Sequence, residues 1–157
     1  DKTVRLSEAN YDGRSLTAVT VAAHEVGHAL QDRDNYAPLR ARTSMVKWVG
    51  GIQKIGSAIL FGSLFLGAAT QAPGLTLLVA GAGIATMASA VLVHLITLPV
   101  EFDASFGRAL PILDEGSYLP PEDMPAARSI LRACALTYVA GSLASLLNLW
   151  RWIRFIR

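Results

Sequence analysis

Residues 24–28 read His-Glu-Val-Gly-His. Positions four apart share one face of an α-helix, so His24 and His28 can both point at one zinc ion. Glu25, beside the first histidine, is placed to reach a zinc-activated water. There it would act as general base and then return the proton to a leaving amine. That is the chemistry of peptide-bond hydrolysis. The plain alternative is a helix that happens to hold two histidines and a glutamate. The flanks argue against it, since Ala22, Val26, Gly27, Ala29 and Leu30 are all uncharged, and two of the chain's three histidines fall in the motif.

Two ligands do not complete a catalytic zinc site, which needs a third and an open position for water. The candidates are His94 or a carboxylate. Glu101 is the best carboxylate on topological grounds. The motif helix precedes one long apolar run and Glu101 follows a second, so a hairpin of the two brings Glu101 back toward His24 and His28. Asp114, Glu115, Glu122 and Asp123 sit in a turn-like loop and read as surface charges. His94 lies inside the second apolar run. A lone histidine there is ordinarily a packed or hydrogen-bonded helix contact; the functional alternative is a polar group facing the site from below.

These side chains need elements to hold them, and composition suggests which. The chain has 157 residues, 52% hydrophobic and 17% charged. Between Lys54 and Glu101 lie 46 residues without one Asp, Glu, Lys or Arg, and residues 133–150 form a second uncharged run of 18. A helix of about 20 apolar residues spans a bilayer, so the first run allows two crossings. The expected fold is mainly α, an integral-membrane zincin-like domain over 1–157. Residues 1–47 would hold a short strand at 3–7 and the motif helix at 15–31, capped by Ser15. Residues 48–98 would form a transmembrane hairpin turning at 71–74, with Gly81, Gly83, Ala85, Ala88 and Ala90 allowing close packing. Pro99 would end or kink the second span. Residues 99–128 would carry the third-ligand helix (101–113) and a loop, and 129–157 a third membrane helix.

The single cysteine, Cys134, excludes an internal disulfide scaffold and reads as a small core or lipid-facing residue. A net charge of +2 without a basic, aromatic-interleaved patch gives no reason to expect nucleic acid. Arg40, Arg42, Lys47 and Lys54 precede the hairpin and Arg108 follows it, while its turn has no cation. The positive-inside rule then faces the site to the cytoplasm of a multi-pass cell-membrane protein. Arg151, Arg154 and Arg157 disturb that assignment unless the last helix is tilted or interfacial.

The stretches His-Glu-Val-Gly-His-Ala-Leu-Gln at 24–31 and Leu-Pro-Val-Glu-Phe-Asp-Ala-Ser at 98–105 resemble the YugP-type neutral zinc metallopeptidases. So do Arg-Leu-Ser-Glu-Ala-Asn-Tyr-Asp-Gly-Arg-Ser at 5–15 and Ala-Leu-Thr-Tyr-Val-Ala at 135–140. The resemblance implies a bacterial membrane peptidase of gluzincin type with one Zn2+ per chain. Its ligands would be His24, His28 and Glu101, and Glu25 its base. It also implies an additional N-terminal helix, so a chain beginning at Asp1 is expected to be processed or truncated. The related HtpX-like peptidases carry Glu-x-x-x-Asp, whose aspartate supports a ligand histidine. Here Ser105 holds that place and Asp103 lies two residues after the glutamate, so either is a candidate support.

Further roles are expected for a few residues. Arg108 would bind a substrate carbonyl or the oxyanion, or else pair on the surface with Asp114 or Glu115. Tyr138 would donate to the oxyanion or anchor a helix at the interface. Val4, Arg5 and Leu6 would form an edge strand that pairs with an extended peptide. The expected partners are a peptide or protein substrate, with membrane proteins among the possibilities, and the lipid bilayer. An FtsH-like arrangement would need a phosphate-binding loop that the chain lacks. A non-catalytic membrane adaptor or scaffold that keeps the metal site is the alternative from another class; it has no use for Glu25.

Overall fold

A computed structural model describes residues 3–70 and 73–156, and among them every regular element is helical. In chain order these are α1 (Glu8–Tyr11), α2 (Leu16–Arg33), α3 (Ala37–Thr70), α4 (Pro73–Phe102), a π-helical segment (Asp103–Ala109), α5 (Leu110–Glu115), a short 3₁₀ turn (Pro121–Asp123) and α6 (Met124–Ile156).

The motif helix starts where its cap requires. The Ser15 side chain accepts a hydrogen bond from the Ala18 N–H at 3.2 Å, satisfying one of the helix's free donors. The helix ends in a two-bond Schellman cap. Tyr36 N–H donates to Gln31 O and Asn35 N–H to Asp32 O, with Asn35 in the left-handed region at φ 53°. Asparagine tolerates that conformation better than most side chains. This tight reversal sends the chain straight into α3. Ser117, at φ 50°, plays the same part after α5.

α3 and α4 pack along each other, α4 packs on α6, and α2 lies against the π segment and α6. The core sits where α2, the π segment, α5 and the start of α6 meet. Ala23, Ala109, Leu110, Leu113, Ala127 and Leu131 are buried there, with Leu16, Val19, Phe106, Leu119 and Met124 around them. Alanines at the closest contacts let the helices approach, while Leu113 and Leu131 fill the remaining space.

Two expectations are corrected. No strand forms among the described residues, and residues 3–7 are irregular. Alternation makes a strand only where a second strand can take its backbone hydrogen bonds, and this helical assembly offers none. Val4, Arg5 and Leu6 therefore form no edge strand. Nor do the described residues contain a helix long and apolar enough to cross a membrane. α3 carries Arg40, Arg42, Lys47 and Lys54, and α6 carries Arg128 and Arg132 near its start, all costly in hydrocarbon. The integral-membrane fold, its hairpin of spans and its third membrane helix are thus not supported, and the orientation argument has no spans to act on among the described residues.

Smaller differences follow. Pro99 lies inside α4 rather than ending it. α6 begins at Met124, five residues before the expected start. Of the expected small-residue stripe, Gly81 faces open space and Ala85 is exposed, while the side chains at 83, 88 and 90 lie outside the described residues. So do Gln71 and Ala72 of the expected turn, and the side chains of Arg151, Arg154 and Arg157.

Candidate metal centre

His24 and His28 share one face of α2, their rings edge to face with centroids 4.7 Å apart. Glu101 arrives at the end of α4, 3% exposed. Its Oε2 lies 3.3 Å from His24 Nε2 and 3.2 Å from His28 Nε2. The hairpin of α3 and α4 makes this possible: Arg42, early in α3, and Glu101, late in α4, are 3.8 Å apart, so the two helices run antiparallel. Gly27 lets the motif helix come close enough. A Cβ there would overlap the Ala104 carbonyl oxygen and lie 3.2 Å from its Cα, both backbone atoms that cannot swing aside.

The other ring nitrogens are already committed. Ser105 Oγ donates to Leu131 O at 3.2 Å, so toward His24 Nδ1, 3.0 Å away, it must accept. His24 therefore carries its proton on Nδ1. Gln31, fully buried, spends its amide hydrogens on Val100 O and Asp103 Oδ2, both at 2.8 Å. That fixes which way the amide faces, and Gln31 Oε1 accepts from His28 Nδ1 at 3.0 Å. Both Nε2 lone pairs then converge with a carboxylate oxygen, three acceptors with no hydrogen between them.

Only a cation, or protons on both rings, satisfies such a set. Tetrahedral zinc with arms of about 2.0–2.1 Å separates its ligand atoms by about 3.3–3.4 Å, close to the two distances observed. His24, His28 and Glu101 therefore fit a metal ion, with ligand atoms all within 4.8 Å of one another. The electrostatics agree. Where protons on both rings satisfy the set, burial alone would raise the Glu101 carboxyl, but hydrogen bonds from His24 and His28, with the charges of His28 and Arg42, hold it down at about 2. Burial would lower the His28 imidazole, yet hydrogen bonds to Glu101 and Gln31 and the charges of Glu101 and Glu25 raise it above its ordinary value.

The centre opens on a cleft of about 470 Å³ lined by Val21, His24, Glu25 and His28 from α2, Arg42, Glu101, and Cys134, Thr137 and Tyr138 from α6. The structure thus brings together six of the expected residues: Glu25, His24, His28, Glu101, Tyr138 and, behind His24, Ser105. Asp103 also takes part, through Gln31 and not by touching a ligand. A π segment begins at this residue, and its wider turn gives Leu110 N–H a partner five residues back at Ser105 O. In that register Asp103 faces α2.

Two expected residues lie elsewhere. Arg108 does not line the cleft; its guanidinium is held by Asp103 at 2.8 Å and Asp34 at 2.6 Å, over the Tyr36 ring. His94 is not in the ligand cluster and packs against Tyr138 and Gly141, its buried Nδ1 without a hydrogen-bond partner. Cys134 faces the cleft, its thiol pushed up by burial and by the charges of Glu25 and Glu101, so it stays protonated.

Sequence reasoning missed Gln31 and Arg42 as site residues. Gln31 follows His28 by three and His24 by seven, on the same helix face, and that spacing could have marked it. Nothing local marks Arg42.

Comparison with known proteins agrees with the donor set. Residues 1–157 match the family described as "Putative neutral zinc metallopeptidase". Over 152 residues the chain is 39% identical to "Putative membrane protease YugP" of Bacillus subtilis (strain 168), an alignment covering 97% of this chain and 64% of that protein. The chain thus spans somewhat under two thirds of that relative. No solved structure matches. With the match running from the first residue to the last, this chain belongs to the neutral zinc metallopeptidase family.

Proposed function

We propose that residues 1–157 form a single-domain zinc endopeptidase of gluzincin type, acting on a peptide or protein substrate. One zinc per chain would be held by His24, His28 and Glu101. The observation that carries this is the convergence of two histidine Nε2 atoms on Glu101 Oε2 while both Nδ1 positions are claimed by acceptors. Bound there, zinc would supply Lewis acidity, acidifying water and polarising a carbonyl.

The protein groups have separable tasks. Glu25, in the cleft wall beside His24, takes a proton from the attacking water as its oxygen bonds to the carbonyl carbon. The same carboxyl then gives that proton to the amide nitrogen as the C–N bond breaks. Ser105 fixes the His24 tautomer, and Gln31, braced through Asp103 by Arg108, fixes that of His28.

The test is Glu25→Gln, measured for zinc content and for cleavage of a peptide blocked at both ends. The variant should bind zinc as wild type does and lose about 10²–10⁴-fold in hydrolysis. A Gln variant that cleaves at the wild-type rate would refute the role of Glu25 and favour the metal-retaining scaffold. Cleavage only of unblocked peptides would refute endopeptidase action.

A further inference from the structure

We propose that Arg42 is a catalytic residue that donates to the oxygen of the scissile carbonyl as that oxygen gains charge. The inference rests on the peptidase reading above. Arg42 lines the cleft with its side chain 22% exposed. Its Nη2 donates to the Tyr138 hydroxyl at 2.6 Å, and its Cζ sits 5.2 Å from the centre of the Tyr138 ring. Tyr138 thereby holds the guanidinium through its hydroxyl and beside its ring.

The contact with Glu101 is of another kind. Nη1 stands 3.8 Å from Glu101 Oε1, near enough for attraction and too far for a hydrogen bond. An arginine kept only to neutralise a buried carboxylate closes on it as a fork at about 2.7–2.9 Å. This one is loose toward Glu101 and firmly held by Tyr138. Its Nη1 hydrogens therefore stand beside the metal centre with donor capacity unspent.

The Tyr138 hydroxyl, the donor expected from the sequence, is engaged by Arg42 as an acceptor. Arg42 is the one Lys or Arg among the residues lining this cleft. Thr137 Oγ1 donates to Ala133 O, and the Cys134 thiol is a weak donor. Arg108, the sequence-based candidate, is held by Asp103 and Asp34. Arginine stays protonated under all relevant conditions and offers a planar set of donors. No bond to Arg42 forms or breaks. The water oxygen joins the carbonyl carbon, the π electrons move onto the carbonyl oxygen, Arg42 donates to that oxygen, and the contact relaxes as the C–N bond breaks.

The experiment compares zinc-loaded wild type, Arg42→Ala and Arg42→Lys. It reads zinc per chain, kcat and KM on a blocked peptide, and the affinity of a peptide phosphonamidate that mimics the tetrahedral state. Arg42→Ala should keep its zinc and lose about 10²–10³-fold in kcat. KM should stay within about threefold, while phosphonamidate affinity falls in step with kcat. Arg42→Lys, which keeps the charge without the fork, should recover part of both and serves in place of the Ala variant should that one not fold. Unchanged kcat in an active background overturns the inference alone. So does zinc loss in Arg42→Ala, which would make Arg42 a support of Glu101. A zinc-loaded wild type that cleaves nothing overturns the peptidase reading and this inference with it.

Discussion

Gln31→Met keeps the length and much of the volume of a fully buried side chain while removing each hydrogen bond it makes. Three are lost: to Val100 O, to Asp103 Oδ2 and from His28 Nδ1. At about 1 kcal/mol net each, the metal-free protein loses about 3 kcal/mol of stability. Asp103 keeps Arg108 as a partner, and methionine leaves little cavity, so neither adds much. A second effect is separate. His28 loses the acceptor that fixes its tautomer, and zinc affinity should fall about 10–100-fold. Denaturant unfolding of the metal-free protein measures the first effect, and zinc titration against a competing chelator measures the second. Stability within about 0.5 kcal/mol of wild type would refute the bond inventory. A zinc Kd within about twofold would refute the claim that Gln31 acts through His28.

Further outcomes test the same construction. Gly27→Ala gains about 1 kcal/mol in helix propensity, but the new Cβ strikes the Ala104 backbone, and overpacking of about 1–3 kcal/mol should win; a higher Tm for the variant would show that α2 and the π segment are not locked together. Ser105→Ala should weaken zinc binding about 10-fold in the same titration by freeing the His24 ring. Glu101→Ala should lose bound zinc, read as metal per chain, and His94→Ala should keep it, since His94 lies outside the ligand cluster; the reverse result would replace Glu101 with His94 as third ligand.

What could be read from the sequence was what local rules dictate. The Ser15 cap and the four-residue spacing of His24 and His28 act within one helix, and both stand in the structure. Glu101 was reached by a topological argument whose stated cause, two membrane crossings, the described residues do not support. Its geometric core survives, because an antiparallel helix pair returns the chain to its start whatever surrounds it. The strand at 3–7 failed because alternation is half of a pairing whose other half must exist elsewhere in the chain.

The π segment explains the rest. Counting at 100° per residue puts Ser105 on the face of Glu101 and Asp103 off it, a choice between two candidates. In the structure both take part: Ser105 serves His24 directly, and Asp103 serves His28 through Gln31. The π segment also carries Arg108, seven residues after Glu101, away from the cleft and onto Asp103 and Asp34. The cationic place beside the metal centre then falls to an arginine 59 positions upstream of Glu101, on a helix whose direction a single left-handed asparagine helps to set. A helical irregularity in a stretch, Asp103–Ala109, whose residue types alone read as ordinary α-helix thus separates the arginine that holds Asp103 from the one that lines the cleft.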